Sequence, residues 1–165
     1  SMTNIKKNNT EALTSVPSYI VRSYAGGKEI VTINLNIQQQ PSAQQTDIPT
    51  MDGETNDTYQ CTTLSILHEG RLTANDVIKI IVQQDLFASI DSAFLIGLVN
   101  AYHIPDYDTL AAVLVSGRYT YAEELSAHRK ALLGDKQPLK ELNAYVEQCK
   151  RLAAACFSEI NTTES

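Results

Sequence analysis

The stretch LTANDVIKIIVQQDLFASIDSAFLIGLVNAY, from Leu72 to Tyr102, is the densest apolar segment of the chain and constrains its fold most. Thr73 can N-cap a helix with Asp76 at the third helical position, beside the positive end of the dipole, and Val77, Ile80 and Ile81 follow at helical spacing. A second helix starts at Ser89 or Asp91 and runs to Tyr102. It is apolar around most of its circumference, which predicts burial on most sides and makes it the expected centre of the molecule. His103-Ile104-Pro105 ends it, because the residue before a proline disfavours the helical region.

The helical signals continue to the C-terminus. Asp106 to Ser116 reads as a helix with Gly117 as its C-cap. Thr120 and Glu123 form a capping box that opens a helix to Leu133, closed by Gly134, with Tyr121, Leu125, His128 and Leu132 as its apolar line. From about Pro138 to Ile160, Leu139, Leu142, Val146, Cys149, Ala153, Cys156 and Ile160 recur at alternating gaps of three and four. That is a heptad seam, suited to packing on the preceding helix or on a second copy of the chain.

Ahead of the apolar stretch the pattern is that of strands. SYIVRSYA and KEIVTINLNI flank Gly26-Gly27, which can supply the positive φ angles of a tight hairpin turn. Val31, Ile33, Leu35 and Ile37 share one face of the second strand. A three-residue loop that sets Ile33 opposite Val21 and Leu35 opposite Tyr19 pairs apolar with apolar and is the preferred register. Residues 1–16, rich in Asn, Thr, Ser and Lys, are expected to be a disordered arm. Residues 38–58 read as a long polar loop, residues 59–67 as a third strand and residues 161–165 as a frayed tail.

A chain of 165 residues fits one domain with a real core, here residues 17–160. Its net charge of −6 is uneven, at +2 over residues 1–40, −8 over 41–108 and 0 over 109–165. An acidic middle without Lys/Arg clusters repels a phosphate backbone, so nucleic acid is disfavoured as a partner. Three cysteines, none in a C-x-x-C spacing, suit a reducing compartment. No signal-peptide pattern follows Lys6 and Lys7, and no run approaches the length of a membrane span, which together point to a cytoplasmic protein without a membrane partner.

No constellation of catalytic type stands out. His68-Glu69 lacks the second histidine of H-E-x-x-H, since Leu72 occupies its place. Asp106 and Asp108 offer hard oxygen ligands but sit where carboxylates complement a helix dipole. His103 has no visible partner, and His128 lies on an apolar line with Glu124 one turn earlier. Cys149 and Cys156, two turns apart, read as small buried residues. No G-x-S-x-G and no Gly-rich phosphate loop occurs. The segment Arg118-Tyr119-Thr120-Tyr121 groups an arginine with two tyrosines, residue types that anchor protein interfaces. Residues 73–102 have the outline of a helix-turn-helix, but their second helix carries no Arg or Lys for a DNA groove.

These readings converge on an α+β fold: a small antiparallel β-sheet, an N-terminal hairpin plus one strand, followed by a bundle of about five α-helices. The expected function is non-catalytic, as a protein-protein interaction or assembly module that binds a protein partner or forms a homo-oligomer. Tyr19, Arg22, Tyr24, Arg118, Tyr119 and Tyr121 form the expected interaction surface. No cofactor, metal site or catalytic residue is assigned. Such a chain fits a small accessory or structural protein of a phage or mobile element, a placement that rests on missing motifs alone. The enzyme alternative is a small metal-dependent hydrolase in which folding gathers Asp106, Asp108 and His68 or His103.

Overall fold

The computed structural model describes residues 3–41 and 57–163, and the chain divides into two compact units, residues 1–71 and 72–165. Its strands and helices are present as an α+β architecture, but they cluster separately, with the boundary after Arg71.

The first unit is a four-stranded antiparallel sheet of β1 (Thr3–Ala12), β2 (Tyr19–Tyr24), β3 (Lys28–Pro41) and β4 (Asp57–Glu69), in the order β1-β4-β3-β2. Three hairpin-connected strands followed spatially by the chain's first strand make a Greek-key order. The segment expected to be a disordered arm is corrected to β1, which pairs with β4 from Thr3↔His68 to Ala12↔Tyr59. Its polar composition does not prevent this, because the ladder satisfies its backbone while most of its side chains stay in water.

The β2–β3 turn is Ala25-Gly26-Gly27, with φ of 84° and 74° at the two glycines. The glycine expectation is met, but the register is corrected: Tyr19 opposes Ile33 and Val21 opposes Val31. Both registers have the same parity, so apolar still meets apolar, and Leu35 extends past the end of β2. The Gly27 carbonyl also accepts from Gly70 N–H at 2.8 Å, tying the turn to the end of β4.

A bulge interrupts β3, where Asn36 and Ile37 occupy the space opposite one β4 residue and Asn36 takes a left-handed φ of 54°. Val31, Ile33 and Leu35 stay on the buried face with Leu64 and Ile66. Ile37 leaves that face, and Gln38 takes up the alternation. The strand expected over 59–67 runs over Asp57–Glu69; of the polar loop expected over 38–58, residues 38–41 belong to β3 and 57–58 to β4, and the rest lie outside the described residues.

The second unit contains α1 (Ala74–Gln83), a short 3-10 turn (Phe87–Ser89), α2 (Ser92–Tyr102), α3 (Tyr107–Ser116), α4 (Tyr121–Leu132) and α5 (Gln137–Thr163). The side chains of Thr73, Asp91, Asp106 and Thr120 each cap a helix, with full capping boxes at Thr73/Asp76 and Thr120/Glu123. Within this unit the common partner is α5, which packs against α2, α3 and α4. The expectation that the helices wrap on the 89–102 helix is corrected accordingly. A helix of 27 residues is about 40 Å long and offers more surface than any neighbour. Its buried line is Leu142, Tyr145, Cys149, Ala153 and Cys156, so the seam is consumed inside the unit and is not left for a second copy.

Candidate interaction surface

Two features of the helical unit stand out, and both involve α4. The inner side of that helix buries Ala127 against α5, with Glu124, Ser126 and Ala131 half-buried. Tyr121, Leu125, His128 and Leu132, read from sequence as the apolar line, face water. Tyr121 is 77% exposed, Leu125 47% and Leu132 89%, and Leu133 beside them is 82% exposed. Four of the eight exposed large apolar residues among those described therefore belong to one short helix and its cap. Scattered exposed leucines are ordinary, whereas a concentrated line is the usual mark of a contact surface.

The second feature is a groove of about 560 Å³ formed by α3, the start of α4, and α5. Ala111, Ala112 and Val115 from α3 and Val146 from α5 give it apolar walls. Tyr107, Tyr119 and Tyr121 add aromatic lining, and Asp108, Glu124 and Lys150 place charges there. Lys150 also pairs with Glu147 at 3.6 Å. Tyr121 belongs both to the groove and to the outer line of α4, so the two form one continuous surface.

A stacked cluster adjoins this surface. The Tyr145 hydroxyl donates to the Leu114 carbonyl at 2.7 Å, and its ring lies 4.9 Å from Phe87 and 5.6 Å from Tyr119, centroid to centroid. The Arg118 guanidinium sits over both Tyr119 and Tyr145, at 5.5 and 5.1 Å. Burial pushes the Tyr145 hydroxyl well above the ordinary phenol value, keeping it a neutral donor. Arg118 and Tyr119 are thus anchored on an internal tyrosine, while Tyr121 projects. Tyr145 was missed because the heptad reading ran through Val146; the Leu142-Tyr145-Cys149 spacing of three and four was an equally regular signal.

The other expected surface residues lie in the sheet unit. On β2, Tyr19 shares a face with Ile33 and is half-buried, whereas Arg22 and Tyr24 are exposed on the opposite face. The six residues therefore fall into two groups in separate units. A second concavity of about 590 Å³ lies in the sheet unit, bordered by Asn9, Glu11, Asn36, Gln38, Gln60 and Thr62. It is lined mainly by amides and hydroxyls with little apolar area, which makes it the weaker candidate.

Among the residues weighed as catalytic groups, Asp106 and His68 have hydrogen-bond partners. Asp106 accepts from Thr109 N–H at 2.9 Å and from the Thr109 hydroxyl at 2.7 Å, bonds that hold its carboxyl below the ordinary range. Asp108 lies in the first turn of α3 and His103 is the left-handed C-cap of α2. His68 Nδ1 lies 2.8 Å from the Thr3 hydroxyl, and His128 is exposed on α4. Among the described residues no group of three or more His, Cys, Asp or Glu is arranged to hold a metal ion. The three cysteines are free and buried. Among the described residues no helix is long and apolar enough to cross a membrane. Comparison with protein-family models, with curated proteins and with solved structures returns no significant match.

Proposed function

We propose that this chain is a non-catalytic assembly module whose helical unit makes protein contacts through α4 and the adjoining groove. The observation that carries this reading is the outer line of α4. Its exposed Tyr121, Leu125 and Leu132 lie on a helix whose opposite side is already packed on α5. Leaving several large apolar side chains in water forgoes roughly 25 cal/mol for each Å² that a partner would cover. The groove adds apolar walls and aromatic residues, the composition favoured at interface centres.

Sedimentation of the full chain from micromolar to millimolar concentration tests the reading, alongside a scan for added Mg²⁺, Mn²⁺ or Zn²⁺ raising the melting temperature. Concentration-dependent mass supports the assembly module. A strict monomer whose melting temperature climbs with a metal supports the hydrolase built on Asp106 and Asp108 instead, because a ligand that binds only the folded state stabilises it.

A further inference from the structure

The geometry points to a second copy of this chain as the occupant of the outer α4 face, with the two α4 helices packed antiparallel about a two-fold axis. This inference rests on the assembly reading and names its partner. At 3.6 residues per turn, Tyr121, Leu125, His128 and Leu132 fall within a sector of about 60°. Their spacing of four, three and four is symmetric about the midpoint between Ser126 and Ala127. Reversing a second copy of the helix therefore sets Tyr121 against Leu132 and Leu125 against His128. Every position on the line meets another position on the line, as in the layers of antiparallel helix pairs.

The charges favour the same direction. Glu123 and Glu124 occupy the first turn of α4, and Arg129 and Lys130 the last. Antiparallel packing brings the acidic turn of each copy level with the basic turn of the other and opposes the helix dipoles. Parallel packing would set like charges level and stack His128 on His128. The four charges also cancel, so α4 is a locally neutral strip on a chain of net charge −6, where two copies can approach without strong repulsion. A foreign helix would satisfy the apolar line alone; this chain carries the complementary charge order as well.

The pairing has a consequence for the groove. Leu132 of one copy reaches the Tyr121 end of the other, where the groove between α3, α4 and α5 opens. Two equivalent contacts form, and the two-fold closes the assembly as a dimer. A pair of 12-residue helices is small beside a standard interface, so the association belongs to the weak class.

The test uses the full chain. Sedimentation equilibrium should show a dimer for the wild type, with a dissociation constant about tenfold or more higher for Leu132→Glu. That side chain is 89% exposed, and unchanged circular dichroism verifies the fold. Orientation is read by mixing Tyr121→Cys with Leu132→Cys under mild oxidation. A disulfide should join the two variants, while neither alone cross-links, since residues 121 and 132 lie about 16 Å apart along the helix. Wild type, whose own cysteines are buried, serves as the control. Self-linking of Leu132→Cys would overturn the antiparallel arrangement. A dimer untouched by Leu132→Glu would overturn this surface and leave the assembly reading standing, whereas a strict monomer would overturn the self-pairing and leave only a different protein as the partner.

Discussion

Gly117 shows how tightly single atoms are placed in the helical unit. Its φ of −65° suits any residue, so its role is spatial. A Cβ there would collide with Ile78 Cγ2 and lie 2.9 Å from Ile78 Cβ, and Ile78 is fully buried on α1. The glycine lets the end of α3 pass over α1 in contact. Gly117→Ala should cost about 1–3 kcal/mol, the usual penalty of overpacking. In urea unfolding, Ile78→Ala should then cost less in the Gly117→Ala background than alone; additive losses would show that the two positions do not press on each other. In the sheet unit the corresponding residue is Asn34, buried beside Cys61. Its amide donates to the Pro17 carbonyl at 2.8 Å and accepts from the Thr63 hydroxyl at 2.7 Å, fastening the β1–β2 connection to β3. Asn34→Ala should destabilise by about 1–3 kcal/mol, because it strands buried polar partners. Asn34→Asp should be worse, since a carboxylate cannot donate to Pro17 and would be charged where it is buried. An aspartate tolerated in thermal melts would remove the donor role assigned to the amide.

Among the elements, what was legible in the sequence followed from local chemistry. The caps of α1, α3 and α4 use side chains that bond a backbone N–H three residues on, a relation written in the sequence itself. Which element covers which face is a relation between distant segments. For that reason the line on α4 was readable while its exposure was not: periodicity reports that apolar residues share a side, not that anything covers it. β1 escaped because an edge strand in water on most of its surface needs no alternation. The β2–β3 register was misplaced by two residues because period 2 fixes the face but leaves the shift to the turn. The candidate site was legible only in part, through Arg118, Tyr119 and Tyr121; Val146 and Lys150 enter it from α5, far along the chain. The α5 seam carries its own prediction. Burial pushes the thiols of Cys149 and Cys156 from 9.0 up to about 11. The folded state then keeps protons that the unfolded chain releases, so this contribution to stability is complete below pH 9 and declines as pH rises toward 11. Thermal melts across that window should show a shallower decline for the Cys149→Ala/Cys156→Ala double variant than for wild type. Parallel declines would mean that the thiols titrate alike in both states.

For the whole molecule, the sheet unit and the helical unit divide the work unevenly. The sheet unit secures its polar connection with Asn34 and places Lys6 and Lys7 on edge strand β1, residues that discourage further strand addition. The helical unit spends the seam of α5 internally and presents α4 outward, so self-association should draw on the second unit and leave the sheet ladders unchanged. Association of folded chains is linked to stability by mass action, because the unfolded chain has no ordered α4 to pair. The melting temperature of wild type should therefore rise with protein concentration, by roughly 2–4 °C for each ~1 kcal/mol of linkage in a chain of this size. Leu132→Glu should show a smaller rise that begins at higher concentration, and should match wild type once both are dilute enough to be monomeric. A wild-type melting temperature that stays flat while sedimentation shows a populated dimer would mean that the contact persists in the unfolded chain and does not require an ordered α4. Convergence of the two chains at low concentration and divergence at high concentration is the pattern a surface contact produces, since a core defect in the variant would separate them throughout.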